Sequence, residues 1–150
     1  MPKFQGSGFE IDVPESCMDA SAYAFVLPGD DEYTPFVNIR FELLPENQGL
    51  LKYMKTSREA LSNELEDFEV LNEGSGKRGE WDVSLVEYAW GPEPVRIYQK
   101  QICFLVPGKI AKVYSLTATD LVSRKNQSKP IFDQLFKSFS PNNVQVWEQA

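Results

Sequence analysis

The sequence predicts an α+β protein: a twisted antiparallel sheet of about six to seven strands with two main helices to cover it. Three observations predict this. Several segments alternate apolar and polar residues with a period of two, the signature of half-buried strands. Many of these segments are joined by short turns rich in Gly and Pro, and strands joined that tightly run antiparallel. Only two stretches repeat apolar residues at i, i+3 and i+4. At 150 residues, with 42% hydrophobic and 25% charged residues, the chain has the composition of one globular domain with a real core. We expect that domain over residues 1–140, followed by a polar tail over 141–150 in which Val144, Val146 and Trp147 are the available anchors.

In chain order, Phe9, Ile11 and Val13 alternate with Glu10 and Asp12, and Pro14 ends this first strand. A second strand runs over about Ala22–Leu27 and closes at Pro28-Gly29 and the acidic turn Asp30, Asp31, Glu32. A third runs over Phe36–Leu44, with Val37, Ile39, Phe41 and Leu43 on one face and Asn38, Arg40 and Glu42 on the other. The first helix is expected over Leu50–Glu66, with Leu50, Met54, Leu61 and Leu65 near one stripe. Phe68–Leu71 starts another strand, and Gly74-Ser75-Gly76-Lys77-Arg78-Gly79 reads as a tight hairpin turn. That turn lacks the spacing of a phosphate loop, and no helix follows it. Three longer strands follow, over Trp81–Trp90, Val95–Pro107 and Lys109–Thr119, with turns at Gly91-Pro92 and Pro107-Gly108. The last helix is expected from Ser128, as N-cap, to Phe139, with Pro130 in its first turn. Its stripe is Ile131, Phe132, Leu135, Phe136 and Phe139.

Charge narrows the function. The net charge of −7 argues against non-specific nucleic-acid binding, which needs basic groups to displace counterions. The charge is uneven: residues 1–75 carry five basic and fifteen acidic groups, residues 76–150 ten and seven. The N-terminal stretch has no apolar signal core, and the longest apolar runs are near five residues, such as Ile102–Val106, where a membrane span needs about 20. A soluble, cytoplasmic protein that is not membrane-inserted is expected.

Catalytic chemistry finds little footing. The chain has no histidine, so Ser and Cys nucleophiles lack their ordinary base. Glu64/Asp67 and Asp30/Asp31/Glu32 read as solvated clusters, and the latter lacks the spacing of a calcium loop. Cys17 and Cys103 are too few and too distant for a cysteine zinc site, and read as buried free thiols rather than a disulfide framework. No enzyme, no cofactor and no metal are expected.

A binding surface remains. On Ala22–Leu27 both faces are apolar: Ala22, Ala24 and Val26 on one, Tyr23, Phe25 and Leu27 on the other. The bulkier set is the natural choice for the core, leaving the small set as a smooth open surface; the alternative is a sheet buried by helices on both faces. Arg96, Tyr98 and Lys100, or Gln99 and Gln101, form a polar row on the Val95–Pro107 strand, and Gln101 can both donate and accept toward a partner.

Several stretches resemble the DcrB-related family, which has a PsbP-like fold. They are Phe9–Pro14, Asp19–Pro28, Val86–Trp90, Lys100–Phe104 and Leu116–Thr119, with the closing Phe132-x-x-x-Phe136-x-x-Phe139 helix. Within that family the chain is most similar to the Eag chaperones of type VI secretion. The resemblance implies a homodimer that binds and shields the N-terminal transmembrane helices of a secreted effector and aids its loading on the VgrG spike. It implies a groove using Ala22 and Ala24 of the second strand, Ser57, Leu61 and Leu65 of the first helix, and Gln101. Leu61 and Leu65 are also readable as core, since every amphipathic helix needs such a stripe. The chain departs from the family in carrying alanine at the two strand positions, and Met18 where tryptophan is common. The alternative function is a generic PsbP-like protein-interaction module of unknown regulatory role.

Overall fold

Eight strands and two α-helices form among the described residues of the computed structural model, which are 2–6, 8–16, 21–44 and 48–141. In chain order they are β1 (Lys3–Gly6), β2 (Phe9–Asp12), β3 (Ala22–Val26), β4 (Phe36–Leu43), α1 (Leu50–Glu64), β5 (Glu69–Arg78), β6 (Trp81–Trp90), β7 (Ile97–Val106), β8 (Lys112–Leu121) and α2 (Lys125–Ser138), the last entered through a 3-10 turn at Val122–Arg124. Six strands form one antiparallel sheet in the order β3-β4-β8-β7-β6-β5, and β1 and β2 form a separate hairpin. The expected α+β class, with a mostly antiparallel sheet and two helices, is what forms.

The period-two alternation divides the sheet into two faces. On one face Val37, Tyr98, Ile102, Phe104, Leu116 and Ala118 pack with Phe132 and Phe136 of α2. On the other, Val86, Tyr88, Cys103 and Val113 pack with Leu50 and Met54 of α1. Each helix therefore lies on its own side of the sheet, and each strand in the middle of the sheet is apolar toward both. Phe132 and Phe136 are four residues apart on one stripe of α2, which is why that stripe meets the sheet as a ridge.

Four expectations need correction. The first strand pairs with β1, a strand the sequence reading lacked, and stands outside the main sheet. The Gly74–Arg78 run is strand, not turn: Gly74, Ser75 and Gly76 lie opposite Leu85, Ser84 and Val83. The ten-residue β6 offers a full ladder, and its hydrogen bonds outweigh the low strand propensity of glycine; the turn itself shrinks to Gly79-Glu80, with Gly79 at φ +61. Third, α2 starts at Lys125, so Ser128 is not its N-cap. The Ser128 hydroxyl instead donates to Asp120 Oδ2, and Pro130 sits inside the helix, where Asn126 loses the backbone donor it would otherwise have. Fourth, on β3 only Leu27, beyond its end, packs with the core; Tyr23 and Phe25 stay exposed because α2 does not reach the sheet edge. Cys17, Met18, Val144, Val146 and Trp147 lie outside the described residues.

Candidate functional site

The α1 face of the sheet carries the candidate site. Leu50 and Met54, in the first turns of α1, are buried against the sheet, while Ser57 and Leu61 further along are only half-buried. The helix is thus most deeply buried at its N-terminal end. A cleft of about 240 Å³ opens beneath it. Apolar walls come from Leu51, Met54, Leu61, Phe68, Val86 and Tyr88, and polar groups from Ser57, Ser75, Ser84 and Gln101. Arg58 of α1 pairs with Glu73 of β5 across its outer rim.

The strand register explains this mixture. One cross-strand row on this face runs Ala24, Asn38, Thr117, Gln101, Val86, Glu73. The next runs Ala22, Arg40, Ser115, Cys103, Ser84, Ser75. Gln101 Nε2 donates to Thr117 Oγ1 at 3.2 Å, which aims the amide along the sheet. One row over, Trp90 Nε1 donates to Gln99 Oε1 at 2.9 Å and Gln99 Nε2 to Thr119 Oγ1 at 2.9 Å. The rows therefore carry oriented amides and hydroxyls at their middle, with the charges of Arg40 and Glu73 in the same two rows.

Three of the six expected site residues, Ser57, Leu61 and Gln101, line this one cleft. Leu65, at the C-terminal cap of α1, does not line the cleft but packs on the same apolar cluster that forms its walls. Ala22 and Ala24 are exposed on the same sheet face at its far edge. Three strand spacings, about 14 Å, separate them from Gln101. With Val26 they make an exposed, uncharged strip on β3. The sequence reading missed Ser75 and Ser84, because it placed Ser75 in a turn, and it missed the Arg58–Glu73 pair. The signal was present in the alternation of Trp81–Trp90, whose even-numbered residues face Gln99, Gln101 and Cys103.

The lining is chemically quiet. Burial pushes the Cys103 thiol up to about 11, and the 3.4 Å contact with Ser115 only partly opposes it. A thiol held that high is a poor nucleophile at neutral pH. Burial likewise pushes the Tyr88 phenol up to about 12. Among the described residues, no three Cys, Asp or Glu side chains come together as a metal site, and no helix is long and apolar enough to cross a membrane.

The family model described as DcrB matches residues 9–138, from the first residue of β2 to the last of α2. Solved structures that share the fold include the following three. PA94 from Pseudomonas aeruginosa, a protein of unknown function described as a putative regulator, superposes with a TM-score of 0.78 at 16% identity, over 96% of this chain and 99% of that one. LpqN of Mycobacterium tuberculosis, involved in cell envelope biogenesis, superposes with a TM-score of 0.55 at 12% identity, over 75% and 79%. The solution structure of the cyanobacterial PsbP protein CyanoP from Synechocystis sp. PCC 6803 gives 0.51 at 12% identity, over 86% and 96%. No curated protein matches the sequence.

Proposed function

This chain belongs to the DcrB family, and from that premise we propose that it is a non-catalytic chaperone or adaptor for apolar helices. Its cargo is the N-terminal transmembrane-helix region of a type VI secretion effector. It shields those helices in the cytoplasm as a homodimer and aids loading of the effector on the VgrG spike. It needs no cofactor and binds no nucleic acid.

One observation carries the reading. The α1 face joins an apolar-walled cleft to an exposed strand edge that itself carries no charge, with Gln101, Thr117, Asn38 and Arg40 between them. An apolar helix about 10 Å across fits the strip beside α1. Its flanks would leave water against Ala22, Ala24, Leu61 and Phe68, and Gln101 and Ser57 would meet Ser, Thr or backbone polar groups along it. The polar row Asn38, Thr117, Gln101 in the middle of that face supports the second reading, a generic PsbP-like interaction module with a regulatory role.

Capture of cargo from the native host separates the two. The tagged chain is purified without detergent and its partners are identified by mass spectrometry. We expect a large protein with N-terminal apolar helices, lost in Ala24→Asp while the circular dichroism spectrum is unchanged. Recovery only of partners without such helices, held equally by Ala24→Asp, overturns the chaperone reading in favour of the second.

A further inference from the structure

The cleft under α1 is smaller than a cargo helix. One turn of an α-helix with its side chains, about 10 Å wide and about 5.4 Å long, fills roughly 400 Å³. The cleft holds about 240 Å³. A helix lying beside α1 can therefore send a side chain into the cleft but cannot enter it. The space is what about eight water molecules fill in the liquid, enough for one large side chain.

Three polar groups of the lining lack partners. Ser84 and Tyr88 lie on β6, on either side of Val86, and are 6% and 3% exposed. Among the described residues neither hydroxyl has a hydrogen-bond partner. No fully enclosed side-chain oxygen there is without one, so both hydroxyls open on the cleft. They also converge. Ser84 lies opposite Cys103, in the row that holds Arg40, and the Cys103 and Arg40 charges both reach the Tyr88 phenol. Gln101 Nε2 is taken by Thr117, and Gln101 Oε1 accepts from no described residue. The set is one acceptor and two hydroxyls that each donate and accept. Covering such groups without pairing them is costly, and an aliphatic side chain or a phenylalanine would do that. An indole or a cationic side chain only donates, so the hydroxyl protons gain no acceptor. A carboxylate would bring a charge in among Met54, Leu61 and Phe68. Serine and threonine donate and accept but fill little of the space. A phenol donates, accepts and fills it.

We propose that the cleft is an anchor pocket for one tyrosine side chain of the cargo, carried by the apolar helix that lies beside α1. Its ring packs among Leu61, Phe68 and Val86, next to the existing Phe68–Tyr88 contact at 5.3 Å between centroids. Its hydroxyl donates to Gln101 Oε1 and accepts from Ser84 or Tyr88. A site that pairs a hydroxyl rejects the analogue lacking it, because its own polar groups are then left unpaired. The pocket therefore selects among apolar helices that hydrophobicity alone cannot tell apart. The proposal rests on the chaperone reading and names a side chain that the cargo carries.

Binding titrations of the full chain test it with two probes. Each is a soluble carrier fused to a Leu/Ala helix of about 20 residues, with a central tyrosine in one and phenylalanine in the other. The tyrosine probe is expected to bind about 10-fold more tightly, the loss that one uncompensated hydrogen-bonding group brings. Ser84→Ala and Tyr88→Phe are the variants. Each should shrink that ratio at least about threefold through the tyrosine probe, with the phenylalanine probe bound no more weakly than by wild type. Circular dichroism checks that the variants fold; if one does not, the other decides, and the wild-type ratio needs neither. Equal binding of the two probes by wild type overturns the tyrosine pocket and leaves the chaperone reading standing. A ratio that survives undiminished in the folded variants puts the hydroxyl elsewhere and overturns the pocket too. Binding of neither probe overturns the chaperone reading and the pocket with it.

Discussion

Glu87 carries a carboxylate into the protein interior, where only its partners make it tolerable. Tyr98 donates to Oε1 at 2.5 Å and Asn72 Nδ2 to Oε2 at 3.3 Å, with Lys129 4.0 Å away. Burial alone would raise its pKa; the Tyr98 and Asn72 hydrogen bonds and the charges of Lys100 and Lys129 outweigh burial and hold it below the usual carboxylate range. A carboxyl depressed in the folded state stabilises the fold above its unfolded pKa, and that contribution is lost as pH falls through the folded value. Glu87→Gln should therefore cost about 1–3 kcal/mol at pH 7, read from urea midpoints. The gap to wild type should close over the pH range below the ordinary glutamate value of about 4.3. A gap that stays constant over that range would sink this account. A second buried group shows why such clusters were not legible. Asp120 accepts from Arg124 Nε at 3.1 Å, from Leu121 N at 2.7 Å and from Ser128, and Arg124 also pairs with Asp30. Ser128 four residues after Arg124 looks like a helix cap in sequence. Only the three-dimensional fold brings a carboxylate eight residues earlier within its reach.

The same lesson holds for whole elements. Arg78 ends β5, yet it closes the C-terminus of α2: its guanidinium donates to Phe136 O at 2.9 Å and Phe139 O at 2.8 Å, over the ring of Phe104. A cation there satisfies carbonyls that the helix leaves without donors and sits at the negative end of its dipole. Arg78→Ala should destabilise the fold by about 2–3 kcal/mol, with Arg78→Lys recovering part of the loss, as read by chemical denaturation. Equal stability of Arg78→Ala and wild type would show the contact to be idle. Local patterns were readable in the sequence: the stripes of both helices, the alternation of β4 and β6, and the turns at Gly91 and Pro107. The run from Gly74 to Arg78 was not, because glycine composition announces a turn while the length of β6 demands a strand. The detachment of the hairpin was equally invisible, since Lys3–Gly6 is too short to declare itself and nothing local says which strand β2 will choose. At the candidate site, Ser57, Leu61 and Gln101 meet because α1 packs on β6, the neighbour of β7 in the sheet. The alanines of β3 lie three strands away because the chain inserts β8 between β4 and β7. Spacing along the chain holds no record of that order.

At the scale of the molecule, the two faces of the sheet are built to different standards. On the α2 side, Phe132 and Phe136 are buried, Ser128 is tied to Asp120, and Arg78 holds the last turn. That helix is fastened at its start, middle and end. Of the residues of α1, only Leu50 and Met54 are buried. Gly49 gives α1 no side-chain cap, its first turn has no acid and its last turn no base. The half from Lys55 to Glu64 leans on half-buried Ser57, Arg58 and Leu61 above a cleft. Local opening free energy follows buried contacts and protected hydrogen bonds, so it should be lowest there. Native-state hydrogen exchange should find the amides of Lys55–Glu64 at least about 10-fold less protected than those of Phe132–Phe136, a difference of about 1.4 kcal/mol or more. The exposed rim pair Arg58–Glu73 is worth too little to reverse this order, since an ion pair in water contributes about 0–1 kcal/mol. Cargo that fills the cleft should slow the α1 amides and leave those of α2 unchanged. Equal protection of the two helices in the free protein would mean that α1 is as firmly seated as α2. The cleft would then be a fixed slot, not an adjustable one, and its cargo would have to match a single shape.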